Sequence, residues 1–352
     1  MTNPLTQSQK SPGISHRRAA WRWLRWFGLG LAWLAVALVS GWAVVALWLD
    51  VPVRGLRAPL AVAYGLGMVA VWIFVRHRVV AMGITVGGFI LVLTWWFTLA
   101  PSNERDWQPD VAVLPWAEIS GNRATIHNIR HCDYRTETDF DVRHADRTFD
   151  LEQLQAVDLF LVDWGAPLIA HMMVSFSFQG LAPVCFSIEV RKEKGESYSA
   201  LRGFFRQFEL AYIIADERDV VQLRTNYRQG EDVYLYRLRM APEQARTLFL
   251  TYLRRANQLK ARPEWYNALT SNCSTGIHLD PDDARGFKRR WDWRNLANGR
   301  SDKMLYEAGA LAGQLPFPEL KQSCHINPRG RAADHASDFS KQIRAELPGQ
   351  GP

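Results

Sequence analysis

Acidic side chains are almost missing from the first hundred residues, where Asp50 stands alone against nine lysines and arginines. The whole chain carries +7, so the remaining 252 of its 352 residues sum to −1 and the basic excess belongs to the N-terminal third. A nucleic-acid surface needs its positive charge clustered on the folded domain that binds, and this distribution excludes one. Cysteine is also scarce, with Cys132, Cys185, Cys273 and Cys324 as the only four. No two of them have the two- to four-residue spacing of a zinc knuckle. His131 and His325 sit directly beside Cys132 and Cys324, poor geometry for one tetrahedral ion, so no metal and no cofactor is expected. Internal repeats are absent, and 48% hydrophobic with 12% aromatic content excludes a disordered chain.

What the N-terminal third does have is three uncharged apolar runs, Phe27 to Leu49, Ala58 to Val75 and Val79 to Ala100. At about 1.5 Å per helical residue, such runs can cross a hydrocarbon core of roughly 30 Å. Tryptophans cluster at their ends: Trp21, Trp23, Trp26, Trp48, Trp95 and Trp96. A cleaved secretory signal fits less well, because the first run is too long and no A-x-A site follows it. Seven basic residues flank the spans on one side (Lys10, Arg17, Arg18, Arg22, Arg25, Arg76, Arg78) and two on the other (Arg54, Arg57), which puts the N-terminus in the cytoplasm. Three crossings then leave everything beyond Pro101 outside, in the periplasm of a bacterium. The expected organisation is a basic N-terminus over 1–26, a three-helix membrane domain over 27–100, a linker over 101–122, a folded domain over 123–328 and a polar, disordered tail over 329–352.

Beyond the linker the pattern is that of an α+β domain with a mostly antiparallel sheet. "RATIHNIR", "VDLFLVDW", "LIAHMMVSFSF" and "VCFSIEVRK" alternate or run apolar between turn residues, and "DVVQLRTNYR" with "EDVYLYRLRM" flank Gly230 like a hairpin. Two helices are expected. Residues 197–214 space Leu201, Phe204, Phe205, Phe208 and Tyr212 on one face, and 241–262 begin with Pro242 in the first turn.

The chemistry centres on "TSNCST", residues 270–275. Ser271 or Asn272 can cap a turn beginning at Cys273, so that backbone N–H groups favour the thiolate. A base is needed, and the alternation of "HMMVSFSF" sends His171, Met173, Ser175 and Ser177 to one face. On "CFSIEVRK" Ser187, Glu189 and Arg191 share a face, which makes Glu189 the candidate to hold the second imidazole nitrogen. The ordinary alternatives are a core histidine at His171 and a structural Glu189–Arg191 ion pair. Ser175, Arg191, Arg224 and Asn272 are candidate substrate contacts. Arg218, Arg224 and Arg228 could grip a phosphate or carboxylate, or simply line a solvated face.

The blocks "RATIHNIRHCDYR", "IAHMMVSFSFQG", "SIEVRKEKGESYSALRGFFRQFELAYIIADERDVVQLRTNYR", "EDVYLYRL" and "YNALTSNCST", with "WDWRNLANGRSDKMLYEAGAL" and "LPFPELK" after them, together resemble the Lnb N-terminal periplasmic domain family. The resemblance runs from about Arg123 to His325. It implies a permuted papain-like fold of NlpC/P60 type, in which the histidine strand precedes the cysteine helix. Through H-x-x-x-S-F and N-C-x-T it implies catalytic roles for His171 and Cys273. Glu189 is added from strand adjacency. The function expected from this likeness is a membrane-anchored periplasmic thiol acyltransferase or hydrolase. It would act on an ester or amide of a phospholipid or lipoprotein, through an acyl-thioester on Cys273. A cell-wall peptide amidase or peptidase and a non-catalytic envelope binding module are the alternatives. The three-span unit and the polar C-terminus depart from the family pattern, and neither the acyl donor, the acceptor nor the oligomeric state is set by the sequence.

Overall fold

The computed structural model describes residues 13–166, 169–268 and 298–349, and the chain divides into two compact units, Met1–Ala100 and Pro101–Pro352. The first unit consists of α1 (Gly13–Asp50), α2 (Arg54–Phe74) and α3 (Arg78–Thr98). The segments Trp26–Asp50, Arg54–Phe74 and Arg78–Thr98, of 25, 21 and 21 residues, are long and apolar enough to cross a membrane. Their burial is inside out relative to a water-soluble bundle. Ala43, Ala46, Ala61 and Ala81 are buried between helices, where small side chains let backbones approach, while Leu34, Leu66 and Leu91 point outward. Asp50 is buried and accepts a hydrogen bond from Trp96 Nε1 at 2.7 Å.

The second unit is built on one eight-stranded mixed sheet. Its strands are β1 (Trp116–Ser120), β2 (Arg123–Tyr134), β3 (Phe140–Asp150), β4 (Leu154–Asp163), β5 (Ala170–Phe178), β6 (Val184–Arg191), β7 (Glu209–Asp216) and β8 (Asp232–Arg237). The order is β1-β2-β7-β6-β5-β4-β8, with β3 also paired to β2. Every pairing is antiparallel except the short β2–β7 contact at Arg130 and Ala215.

Both faces of the sheet are covered. One packs Leu159, Leu161, Met172, Val174, Phe176, Phe186, Tyr212 and Ile214 under α5 (Pro242–Ala261). The ring of Phe249 on α5 lies 5.0 to 5.9 Å, centroid to centroid, from those of Phe149, Phe176, Phe178 and Phe186. The other face packs Phe160, Met173, Cys185, Ala211, Ile213 and Leu235 against α4 (Glu217–Gln222) and the C-terminal segment.

Covering both faces overturns two sequence expectations. The apolar run around 209–216 is a strand, not part of a helix: Leu210, Tyr212 and Ile214 enter one layer and Ala211, Ile213 and Ala215 the other. An all-apolar strand fits a helical spacing as readily as a strand pattern. Only Arg202–Phe204 forms a 3₁₀ turn in that region. Conversely, residues 219–228, read as the first strand of a hairpin, fall in α4, the π-helical turn Leu223–Tyr227 and its cap, and β8 pairs with β4 instead. Glu217 and Asp219 lie in the first turn of α4, where acidic groups complement the helix dipole.

The flanking segments are also part of the fold. Residues 101–122, expected as a linker, contribute β1, and Trp107 and Val111 join the second layer. Beyond Arg329, where polar composition predicts a disordered tail, Phe339, Ile343 and Leu347 are buried in that same layer. Arg344 reaches beneath the sheet, where its Nη2 lies 2.8 Å from Asp158 Oδ2 and 2.6 Å from Glu217 Oε1. Ser175 Oγ donates to Glu217 Oε1 at 2.5 Å, and Arg237 Nε donates to Asp158 Oδ1 at 2.6 Å. A few apolar residues and one half-buried cation thus hold a segment that reads as polar.

Removing that cation takes from buried Glu217 its cation and leaves buried Asp158 to Arg237. Arg344→Met is expected to cost about 3 kcal/mol or more, read as a lower urea midpoint of the tryptophan fluorescence transition. Adding D158N and E217Q to R344M should recover part of the loss, whereas a midpoint unmoved by R344M would mean the docking is held by Phe339 and Ile343 alone.

Candidate active site

β5 begins at Ala170, so His171 lies at one end of the sheet, in company with the ends of β4 and β6 and the start of β7. β6 runs antiparallel to β5 with Met173 opposite Ser187. Two residues further along each strand, His171 and Glu189 meet on the same face. His171 Nε2 lies 2.8 Å from Ser187 Oγ and 3.2 Å from Glu189 Oε1, and Ser187 Oγ donates to Glu189 Oε1 at 2.5 Å. The single hydroxyl hydrogen of Ser187 is committed to Glu189, so Ser187 can only accept from the imidazole. Nε2 therefore carries the hydrogen, and in the neutral ring Nδ1 carries the lone pair.

Glu189 Oε1 takes a further hydrogen bond from Arg224 Nη2 at 2.9 Å. Burial pushes this carboxyl upward, but the charges of His171 and Arg224 and the bonds from His171 and Ser187 outweigh it and hold the group well below the usual carboxylate range. Glu189 stays ionised. Its side chain keeps 27% of its surface, against 6% for His171 and 4% for Arg224.

Arg191, considered above as the ion-pair partner of Glu189, turns the other way. It donates to Val111 O at 2.9 Å, Ala112 O at 2.8 Å and Asn103 Oδ1 at 2.8 Å, and lies over the Trp107 ring. Ser175 bonds Glu217, four positions along β5 from His171. Arg224 bonds Glu189 and, through Nη1, Glu231 Oε2 at 3.2 Å. Ser175, Arg191 and Arg224 are all buried and spend these bonds inside the protein. Arg228 pairs with Glu137 at 3.1 Å, and Arg218 lines a separate small polar pocket with His131, Cys132 and His335. Cys273 and Asn272 lie outside the described residues.

The last described residues before position 269 lie at the His171 end of the sheet. Ala268 N donates to Gly203 O at 2.8 Å and Tyr266 N to Phe208 O at 2.9 Å, both in the β6–β7 connection, and the turn Asn298–Arg300 returns against β5. The three described cysteines are free and buried. Burial pushes Cys132 and Cys324 up to about 12 and raises Cys185 well above the usual range, so all three are held as thiols.

Ser187 and Glu231 are not among the site residues the sequence singles out. Ser187 was visible in principle, because period two puts it beside Glu189. Glu231 was not, because it reaches the site only through a turn.

Glu209 lies opposite Arg191 across β6 and β7 and is almost fully buried. Arg105 Nη2 approaches its Oε1 at 2.8 Å and Ser102 N donates to it at 3.1 Å. Burial pushes the carboxyl up to about 7, and Arg105 pulls it back only partly. The folded state therefore holds this proton more tightly than the unfolded chain. Its contribution to stability is complete below the ordinary glutamate value and is lost as the pH rises through about 7. Relative to Glu209→Gln, the unaltered protein should lose on the order of 3 kcal/mol between pH 4.5 and 7.5, read from urea midpoints across that range. Parallel pH profiles for the two proteins would contradict the assignment.

No curated protein and no solved structure matches the chain. The sequence model of one family matches residues 141–299, which span β3 to the Asn298–Arg300 turn and include His171, Ser187, Glu189, Arg224 and Glu231, and this segment is accordingly similar to the Lnb N-terminal periplasmic domain.

Proposed function

We propose that this chain is a membrane-anchored thiol enzyme that works at the periplasmic face of a bacterial inner membrane. The first unit is its three-span anchor, with the N-terminus cytoplasmic. The second is a permuted papain-like domain of NlpC/P60 type, in which the histidine strand precedes the cysteine in the chain. Cys273 is the nucleophile, His171 its base, and Glu189 with Ser187 fixes the imidazole.

The observation that carries this reading is the contact of His171 Nε2 with Ser187 and Glu189 at 2.8 and 3.2 Å. It turns the Nδ1 lone pair to the proton-accepting role that an attacking thiol requires. Two further facts support it. Cys273 lies five residues past Ala268, a reach of at most ~17 Å along the chain from a point fixed at the same end of the sheet. Cys132, Cys185 and Cys324 are too deeply buried to react.

In the proposed reaction the Cys273 proton passes to His171 Nδ1 as sulfur bonds to the carbonyl carbon of an ester or amide. Backbone N–H groups hold the oxyanion. The C–O or C–N bond then breaks, and the leaving group takes the proton from His171. Attack by an amine on the thioester makes a new amide and restores the thiol, whereas attack by water releases an acid. Similarity to an Lnb domain, together with an apolar anchor, favours a phospholipid or lipoprotein as the acyl source. The non-catalytic module and the cell-wall amidase become outcomes of the test.

The full chain in phospholipid nanodiscs, incubated with its lipids or with a peptidoglycan fragment, should acquire a hydroxylamine-labile adduct by intact mass. Cys273→Ala should abolish it, and His171→Ala should slow its formation at least about 100-fold. An adduct formed only from peptidoglycan would select the amidase. Iodoacetamide reactivity at Cys273 that equals that of a free thiol and ignores His171→Ala would leave the binding module.

A further inference from the structure

Apart from the bond by which Arg224 helps keep Glu189 ionised, Arg224 and Glu231 have no part in the proposed reaction, yet both are fixed toward it. Arg224 lies on the π-helical turn Leu223–Tyr227, whose wide pitch is marked by Arg228 N bonding Leu223 O, five residues back, at 2.9 Å. Such turns recur at functional sites because they re-aim one side chain without ending the helix. The chain then reverses at Gly230, whose φ of +74° suits glycine, and brings Glu231 back to Arg224.

Glu231 bonds two members of the circuit, one through each oxygen. Oε2 accepts from Arg224 Nη1 at 3.2 Å, and Oε1 accepts from the indole Nε1 of Trp164 at 3.0 Å. Trp164 comes from the β4–β5 connection and stacks on the His171 ring, with centroids 6.4 Å apart and planes 26° apart. The contacts close a circuit from His171 to Glu189, Arg224, Glu231, Trp164 and back to His171. Trp164 is 41% exposed, so the circuit has one wall open to solvent.

Resting on the reading of His171 as the base, we infer that Arg224 and Glu231 are positioning residues that set the charge felt by the imidazole, and that Glu231 also fixes Trp164 as the wall of the site against which a bound acyl group lies. A guanidinium touching Glu189 weakens the pull of that carboxylate on a protonated imidazole, and Glu231 in turn weakens the guanidinium. The two act on His171 with opposite signs.

Other charges around the circuit do not confuse this. Arg228 Nη1 is 3.5 Å from Glu231 but its Nε is engaged by Glu137, and Arg191 faces Val111, Ala112 and Asn103. Asp163, near Lys321, and Asp232, paired with His325, belong to strand positions whose side chains alternate to the opposite face.

The test is the titration of His171 in the full chain with ¹³C-labelled histidine, followed by NMR and assigned with His171→Gln. Glu231→Gln, which leaves Arg224 less compensated, should lower the His171 midpoint by roughly 0.5 pH unit or more, and Arg224→Gln should raise it by a similar amount. Arg224→Lys, which keeps the charge, should restore the original midpoint. A site that is merely loosened would move both variants in the same direction, and that result would overturn the inference, as would no movement in either. If Arg224→Gln fails to fold, Glu231→Gln and Arg224→Lys still decide the sign. Trp164→Ala should reduce the rate of adduct formation with a long-chain acyl donor more than with an acetyl donor, and equal effects would remove Trp164 from the substrate wall.

The failure modes separate. Opposite shifts at His171 with an unreactive Cys273 would leave the positioning intact and end the thiol-enzyme reading. A reactive Cys273 that depends on His171, with no shift in Glu231→Gln, would do the reverse.

Discussion

The fold depends on a sheet that is covered on both faces. Strands so placed cannot send charged side chains to water, and any carboxylate on the second face must find a cation there. Asp158 and Glu217 find Arg344, Asp219 finds Arg130 at 2.7 Å, and Glu189 finds Arg224. Well-packed apolar residues of similar size are often at least as stable as such buried pairs, so stability alone does not account for them. Each pair joins segments distant in sequence: the C-terminus to β4 and α4, β2 to α4, and β6 to the π-helical turn. They fix where those segments dock.

The third pair differs from the other two in its exposure. Asp158 and Glu217 have no accessible side-chain surface, whereas Glu189 keeps 27%. It also stands at the end of the sheet where connections, not strands, close the structure. The same physical solution that anchors the C-terminus therefore supplies, at an accessible edge, an ionised carboxylate held in a fixed direction. A histidine beside it has its tautomer set by that carboxylate and by Ser187.

This division also explains what could be read from the sequence. The alternation along 171–178 and 185–191 put His171 and Glu189 on matching faces, because those strands pair as neighbours and a period of two survives whether or not both faces are buried. The same double burial hid β7, since Leu210 to Ala215 are apolar at every position and mimic a helix face. α4 was hidden by the reverse: Glu217, Asp219 and Gln222 are buried polar residues, and a helix covered by ion pairs loses the apolar stripe that would mark it. The C-terminal segment was hidden because Phe339 and Ile343 are too few to give a period, and Arg344 reads as solvated until Asp158 and Glu217 appear beneath it. Cys273 could be singled out only by its small polar neighbours and by family likeness.

The state of Glu189 limits what it can do. A carboxylate held well below its usual range does not accept the imidazole proton, so it orients the ring and stabilises the imidazolium without becoming a relay. Left alone, a partly buried carboxylate 3.2 Å from Nε2 would stabilise that cation strongly. A base that holds its proton too well returns it slowly to a leaving group. Arg224, bonded to the same Oε1, spreads the negative charge over two cations and weakens the hold, and Ser187 takes up part of the remaining hydrogen-bonding capacity. In the proposed reaction the circuit would meet two demands that a lone His–Glu pair sets against each other: a fixed tautomer, and an imidazolium that can still let go.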